Sequence, residues 1–135
     1  MPTATYNKFT PAVESIVEGM NLGSDSFAIK LATAVNQSAG TFTETTNGGG
    51  YTTGGNTVGT NSTATQSGGV YKVTLSDPAV WTGSGGGFSF QYAVLVNTTA
   101  GVNVGYWDYG TPQTVAAGET VTVDLDASNG VFQVT

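Results

Sequence analysis

Asp108, Asp124 and Asp126 have the plainest claim to chemistry in this sequence, because two carboxylates flanking one bond can act as acid and base in glycoside hydrolysis. No histidine or cysteine accompanies them. That excludes an imidazole base, a serine–histidine triad and thiolate metal ligation. Asp124 alternates with Val123 and Leu125, and a carboxylate on the polar side of such a pattern reads as a solvated face. The run DLDASNG over residues 124–130 has the oxygen-rich look of a calcium loop. An EF-hand wants glycine at the sixth position and a bidentate Glu at the twelfth. Here glycine is seventh, and the twelfth position falls on Thr135. The run therefore reads as a turn with Gly130 at its left-handed position. No catalytic residue, metal ligand or cofactor is assigned.

Two further groups carry chemical potential. Glycines at 48–50, 54 and 55 surround Tyr51, but the helix opening and lysine of a phosphate-binding loop do not follow. They read as turns or a bulge. Trp81, Tyr92, Tyr106, Trp107 and Tyr109 could stack a sugar, yet rings of this size more often fill a core or an interface.

A length of 135 residues makes one domain, with residues 1–22 as an arm and short helix and 23–135 as the body. Three lysines, no arginine and a net charge of −6 argue against a nucleic-acid partner. No run is apolar enough to span a membrane. No basic leader with an apolar core is visible, so a secretory signal is not expected. Only 9% of residues are charged, so the surface must be largely Thr, Ser, Asn and Gly. That choice suits a chain in a large assembly or outside a cell better than a free cytosolic monomer.

The elements follow from periodicity. In GGFSFQYAVLVNTTAGVNVGYWDYG, residues 86–110, Phe88, Phe90, Tyr92, Val94 and Val96 fall on one face at period two. This predicts a strand with one strongly buried face, a turn over 97–101 and a return strand over 102–109. Other strands are predicted over 26–33, 57–66, 70–75, 79–82, 119–125 and 131–134, with 36–55 as loop and Thr111-Pro112 as a turn. One helix is predicted within residues 10–22. Thr10 caps it, Pro11 takes the first helical position, and Val13, Ile16, Val17 and Met20 form its apolar stripe. Residues 1–10 hold no strand pattern long enough to join a sheet. About eight short strands with regular turns predict an all-β antiparallel sandwich or jelly roll with one short N-terminal helix.

Several segments also carry a resemblance. YNKF at 6–9, NLGSDSFAIKLAT at 21–33 and GGGYTTGGNTV at 48–58 come first. GVYKVTLSDPAVWT, FQYAVLVNTTA, GYWDYG and GETVTVDLDASNGVFQV follow in order. The set resembles small virion structural proteins of tailed bacteriophages, over nearly the whole chain. The resemblance implies a non-enzymatic β-sandwich subunit that decorates or cements a capsid at the virion surface. The partners it implies are the major capsid protein and further copies of the chain in a homo-oligomer. A tail- or fibre-associated role is compatible, and a carbohydrate-binding module or small glycosidase is the alternative from another class. The expected subunit contacts are Tyr6, Phe9, Val13, Ile16, Val17, Met20 and Trp107, with residues 1–20 serving docking more than folding.

Overall fold

The computed structural model describes residues 4–61 and 65–135. It is an all-β antiparallel sandwich with one short helix. In chain order the elements are β1 (Tyr6–Lys8), α1 (Ala12–Glu18), β2 (Ser26–Asn36), β3 (Thr41–Glu44), β4 (Asn56–Thr60), β5 (Gln66–Ser67), β6 (Val70–Val73), β7 (Trp81–Thr82), β8 (Phe88–Asn97), β9 (Val102–Val115), β10 (Thr120–Val121) and β11 (Phe132–Val134). A main sheet runs β1-β9-β8-β2-β3, with β4 also on β2. Two small sheets, β10-β7 and β11-β6-β5, complete the architecture. Between the layers, Phe27, Ile29, Leu31, Leu95 and Val104 of the main sheet pack with Val73, Trp81, Val121 and Val131.

The hairpin β8–β9 is the spine, as its aromatic and β-branched pattern requires. Asn97 pairs with Val102, and Gly101 turns the chain at φ +69°. The expected single buried face is corrected, however. Phe88 and Phe90 point into the sandwich, whereas Tyr92, Val94 and Val96 belong to a second cluster with Phe9 and Tyr106. The cause is a bulge. Phe90 pairs with Gln113 and Tyr92 with Asp108, so residues 109–112 of β9 stand opposite Gln91 alone. An interruption of this kind resets which side each following residue faces. Ala93 and Leu95 thereby turn inward, and both faces of β8 are buried from Ala93 to Asn97. The bulge also explains why Thr111-Pro112 is not a turn between elements. Pro112 lies within β9, where the interrupted ladder does not need its missing N–H.

Three further expectations are corrected. Residues 6–8 do form a strand, pairing with β9 as Tyr6–Trp107, Asn7–Tyr106 and Lys8–Gly105. The stretch 36–55 contains β3. The helix, Ala12–Glu18, lies within the expected 10–22, but Pro11 rather than Thr10 holds the N-cap position, without a side-chain cap. The predicted strand over 57–66 is represented by β4 and the start of β5, its centre falling outside the described residues. Two expectations hold in detail. Val121, Val123 and Leu125 are buried while Thr122 and Asp124 are exposed, and Gly130 adopts φ +79° in its turn.

Candidate functional site

Of the carboxylates singled out from the sequence, Asp108 and Asp126 are occupied locally and Asp124 lies exposed. Asp108 Oδ1 accepts hydrogen bonds from Gly110 N (2.7 Å) and Gln91 Nε2 (3.0 Å), which builds the bulge. Asp126 Oδ1 accepts from Ser128 N (2.9 Å) and Asn129 N (2.8 Å), and Oδ2 accepts from Asn129 Nδ2 (3.1 Å). These bonds, those from Asn129 first, hold its carboxyl below the usual range. Residues 124–130 thus form a self-satisfied turn. Among the described residues, no group of three or more His, Cys, Asp or Glu could hold a metal ion.

The glycine loop is built around an internal anion. Glu44 Oε1 accepts from Tyr51 Oη (2.7 Å) and from Gly54 N (2.6 Å), while Lys30 Nζ lies 3.7 Å from Oε2. Tyr51 is buried, and its hydroxyl also accepts the Leu31 N–H at 3.1 Å. This closes a gap on the β2 edge, where β3 has ended and β4 has not begun. Thr45 N covers the Leu31 carbonyl at 2.9 Å. An inward Tyr51 could have been suspected from an aromatic ring among glycines, but its partner Glu44 could not.

The aromatic residues do not form one platform. Trp81 is in the sandwich core. Tyr106 and Tyr92 pack edge to face on the outer side of the main sheet, at 6.0 Å and 75°. Trp107 meets Tyr6 edge-on at 5.4 Å, Tyr6 stacks on Phe132 at 5.9 Å, and Tyr109 stands against Phe90 at 5.5 Å.

Burial pushes the phenols of Tyr6 and Tyr51 well above their usual value, and for Tyr51 the hydrogen bond to Glu44 adds to it. Folding therefore favours their neutral forms. The unfolded chain loses these protons first, so their stabilising effect is complete below about pH 10 and declines as pH rises further. In an ultraviolet titration of tyrosinate, Tyr6 and Tyr51 should ionise last and together with unfolding. Ionisation of all six tyrosines as ordinary phenols on a still-folded chain would contradict this packing.

The expected contact residues divide into two sets. Phe9 has no exposed surface and packs on Tyr106 at 5.1 Å. Tyr6 and Trp107 hold β1 to β9 and to Phe132. These three belong to the chain's own packing. Val13 and Val17 are 45% and 81% exposed, one helical turn apart and on the same face. Ile16 and Met20 are half-buried and line an open groove of about 580 Å³ with Val17, Leu22, Tyr71 and Val134. Val134 is 42% exposed. Glu14 and Glu18 flank this face, and no basic residue sits in the last turn of α1.

Among the described residues, no helix is long and apolar enough to cross a membrane. No protein-family model, curated protein or solved structure matches this chain.

Proposed function

We propose that this chain is a structural protein of a tailed-bacteriophage virion, decorating or cementing the capsid surface by docking on the major capsid protein through α1. The observation that carries the reading is the outward apolar face of that helix. Val13 and Val17 stand in water beside a groove already floored by Ile16, Met20 and Leu22. Covering such surface is worth about 25 cal/mol per Å². The ordered motifs that resemble phage virion proteins, and a surface poor in charge, support the same reading.

Charge narrows the partner surface. Glu14 and Glu18 border the apolar strip without a cation on the helix, and Glu18 lies at the negative end of the helix dipole. A complementary capsid face presents an apolar projection flanked by Lys or Arg. Two copies of this chain meeting through the same face would oppose carboxylates, so contacts within a homo-oligomer fall elsewhere. Many symmetry-related copies multiply a modest contact into firm attachment.

Quantitative mass spectrometry of purified virions tests the assignment. Hundreds of copies per particle are expected. Tens or fewer would move the chain to the tail or fibre, and absence from the particle would overturn the reading.

A further inference from the structure

A second feature, distant in character from the helix face, is a small cleft between the far end of β9 and β10. It has a volume of about 190 Å³ and is bordered by Phe90, Tyr109, Gln113, Glu119, Thr120 and Val121. We propose that this cleft binds a single neutral pyranose ring, as one unit of a surface polysaccharide.

The bulge in β8–β9 builds the cleft. Four residues of β9 opposite Gln91 give Tyr109 an orientation that a regular strand would not. Gly110 at φ +84° and the Asp108–Gly110 hydrogen bond fix the excursion. Tyr109 then stands against the Phe90 ring at 88°. Phe90 is buried and Tyr109 half-buried, so one aromatic wall is rigid and partly open to a ligand.

The rim supplies directional polar groups. Glu119 Oε1 accepts Ala116 N at 2.9 Å, which anchors the carboxylate. Its Oε2 takes no hydrogen bond from a described residue. Gln113 Nε2 donates to Thr111 O at 3.0 Å and to Thr111 Oγ1 at 3.3 Å, and its Oε1 takes no hydrogen bond from a described residue. The hydroxyls of Tyr109 and Thr120 likewise have no partner among the described residues. Burial raises the Tyr109 phenol, so it is a neutral donor at physiological pH.

An aromatic wall with an apolar floor, rimmed by two fixed acceptor oxygens and two hydroxyls, matches an amphipathic ring bearing several O–H donors. The C–H face of a pyranose lies against the aromatic wall, and its hydroxyls reach the rim. The volume is below the range of about 300–1,000 Å³ typical of drug-sized ligands, which limits the occupant to one ring. Glu119 and the net charge of −6 disfavour acidic sugars. A ligand this small binds with a dissociation constant on the order of millimolar. Multiple copies on one particle would convert that into useful retention on a glycan-coated surface.

The test is a heteronuclear NMR titration of the intact chain with methyl α-D-glucopyranoside, methyl β-D-galactopyranoside and methyl N-acetyl-β-D-glucosaminide. At least one sugar should saturably shift the backbone amides of Tyr109, Gln113, Thr120 and Val121, leaving those of α1 unmoved. Tyr109→Ala should weaken that binding about tenfold, the size of one aromatic contact, while Tyr109→Phe retains most of it. Gln113→Ala, at the rim and outside the core, gives an independent loss even if Tyr109→Ala fails to fold. The proposal is overturned if none of the three sugars moves these amides, if the shifts scatter over the surface, or if Gln113→Ala binds like the parent. Capsid docking through α1 stands or falls separately, because it uses none of these residues.

Discussion

Removing residues 1–20 should abolish the folded β domain, leaving a chain that aggregates or shows an unfolded far-ultraviolet spectrum. Phe9 is completely buried in the cluster with Ala12, Ala32, Val94, Val96 and Tyr106. Its N–H bonds to Val104 O at 3.0 Å, and Thr10 N bonds to Gln37 O at 3.0 Å. The Gln37 side chain in turn donates to Lys8 O at 2.9 Å. The segment is thus an edge strand followed by a plug over the outer face of the main sheet. Phe9→Ala alone should cost about 3–5 kcal/mol, a large part of the roughly 5–15 kcal/mol available to a domain. Deletion additionally uncovers Val94, Val96 and Tyr106 and strips β9 of β1, one of its two partner strands. This reverses the expectation that residues 1–20 serve docking more than folding. Only the outward side of α1 remains free for that role. Urea denaturation of Phe9→Ala and circular dichroism of the truncated chain check the claim. A truncated chain that keeps a cooperative transition near the parent midpoint would contradict it.

Gly49→Ala should destabilise the fold by about 2–5 kcal/mol, far more than the same change at Gly118. Both glycines have positive φ, +63° and +84°, so each substitution carries the left-handed penalty of about 1–2 kcal/mol. They differ in their surroundings. A Cβ on Gly49 would fall onto the Gly87 carbonyl, and one on Gly87 onto the Val115 carbonyl. Three backbones pass here without a side chain between them. Relieving such overlap shifts backbone at a further cost of about 1–3 kcal/mol. A Cβ on Gly118 meets nothing within 4 Å. Comparing the two urea midpoints isolates the packing contribution. Equal losses at both positions would mean that the glycine loop is not packed against residues 87 and 115 as described.

These glycines show where sequence reasoning stops. A cluster at 48–55 reads as turns, and turns are present, but the reason for glycine at 49 is a contact with residue 87. Such contacts leave no local pattern. The hairpin turn at 97–101, the inward alternation of Val121, Val123 and Leu125, and the Gly130 turn were legible because each depends on neighbours within a few residues. The bulge at Gln91 was not, because GGFSFQYAVLV alternates without a visible break and the surplus residues lie on the partner strand. Strand β1 is only three residues long, below what periodicity can detect. Its seating depends on Gly105, whose missing side chain leaves room for the Tyr6 ring. The stripe Val13, Ile16, Val17 and Met20 was legible as apolar, but which part of it faces water depends on the sheet beneath. The candidate docking face was therefore half readable from its residues; of the cleft beside β10, only Tyr109 was among the rings named from the sequence as able to stack a sugar.

Docking through α1 is tested by adding the parent or Val17→Asp to expanded capsids that lack this chain. Val17 is 81% exposed, so the substitution should leave the urea midpoint essentially unchanged, as surface changes usually do within about 0.5 kcal/mol. It places a third carboxylate beside Glu14 and Glu18, where the proposed docking needs an apolar contact. Val80→Asp, at another exposed valine, serves as the control. The parent and Val80→Asp should bind and saturate the capsid, while Val17→Asp should stay in the supernatant. Equal saturation by all three, with equal release on heating, would contradict docking through α1.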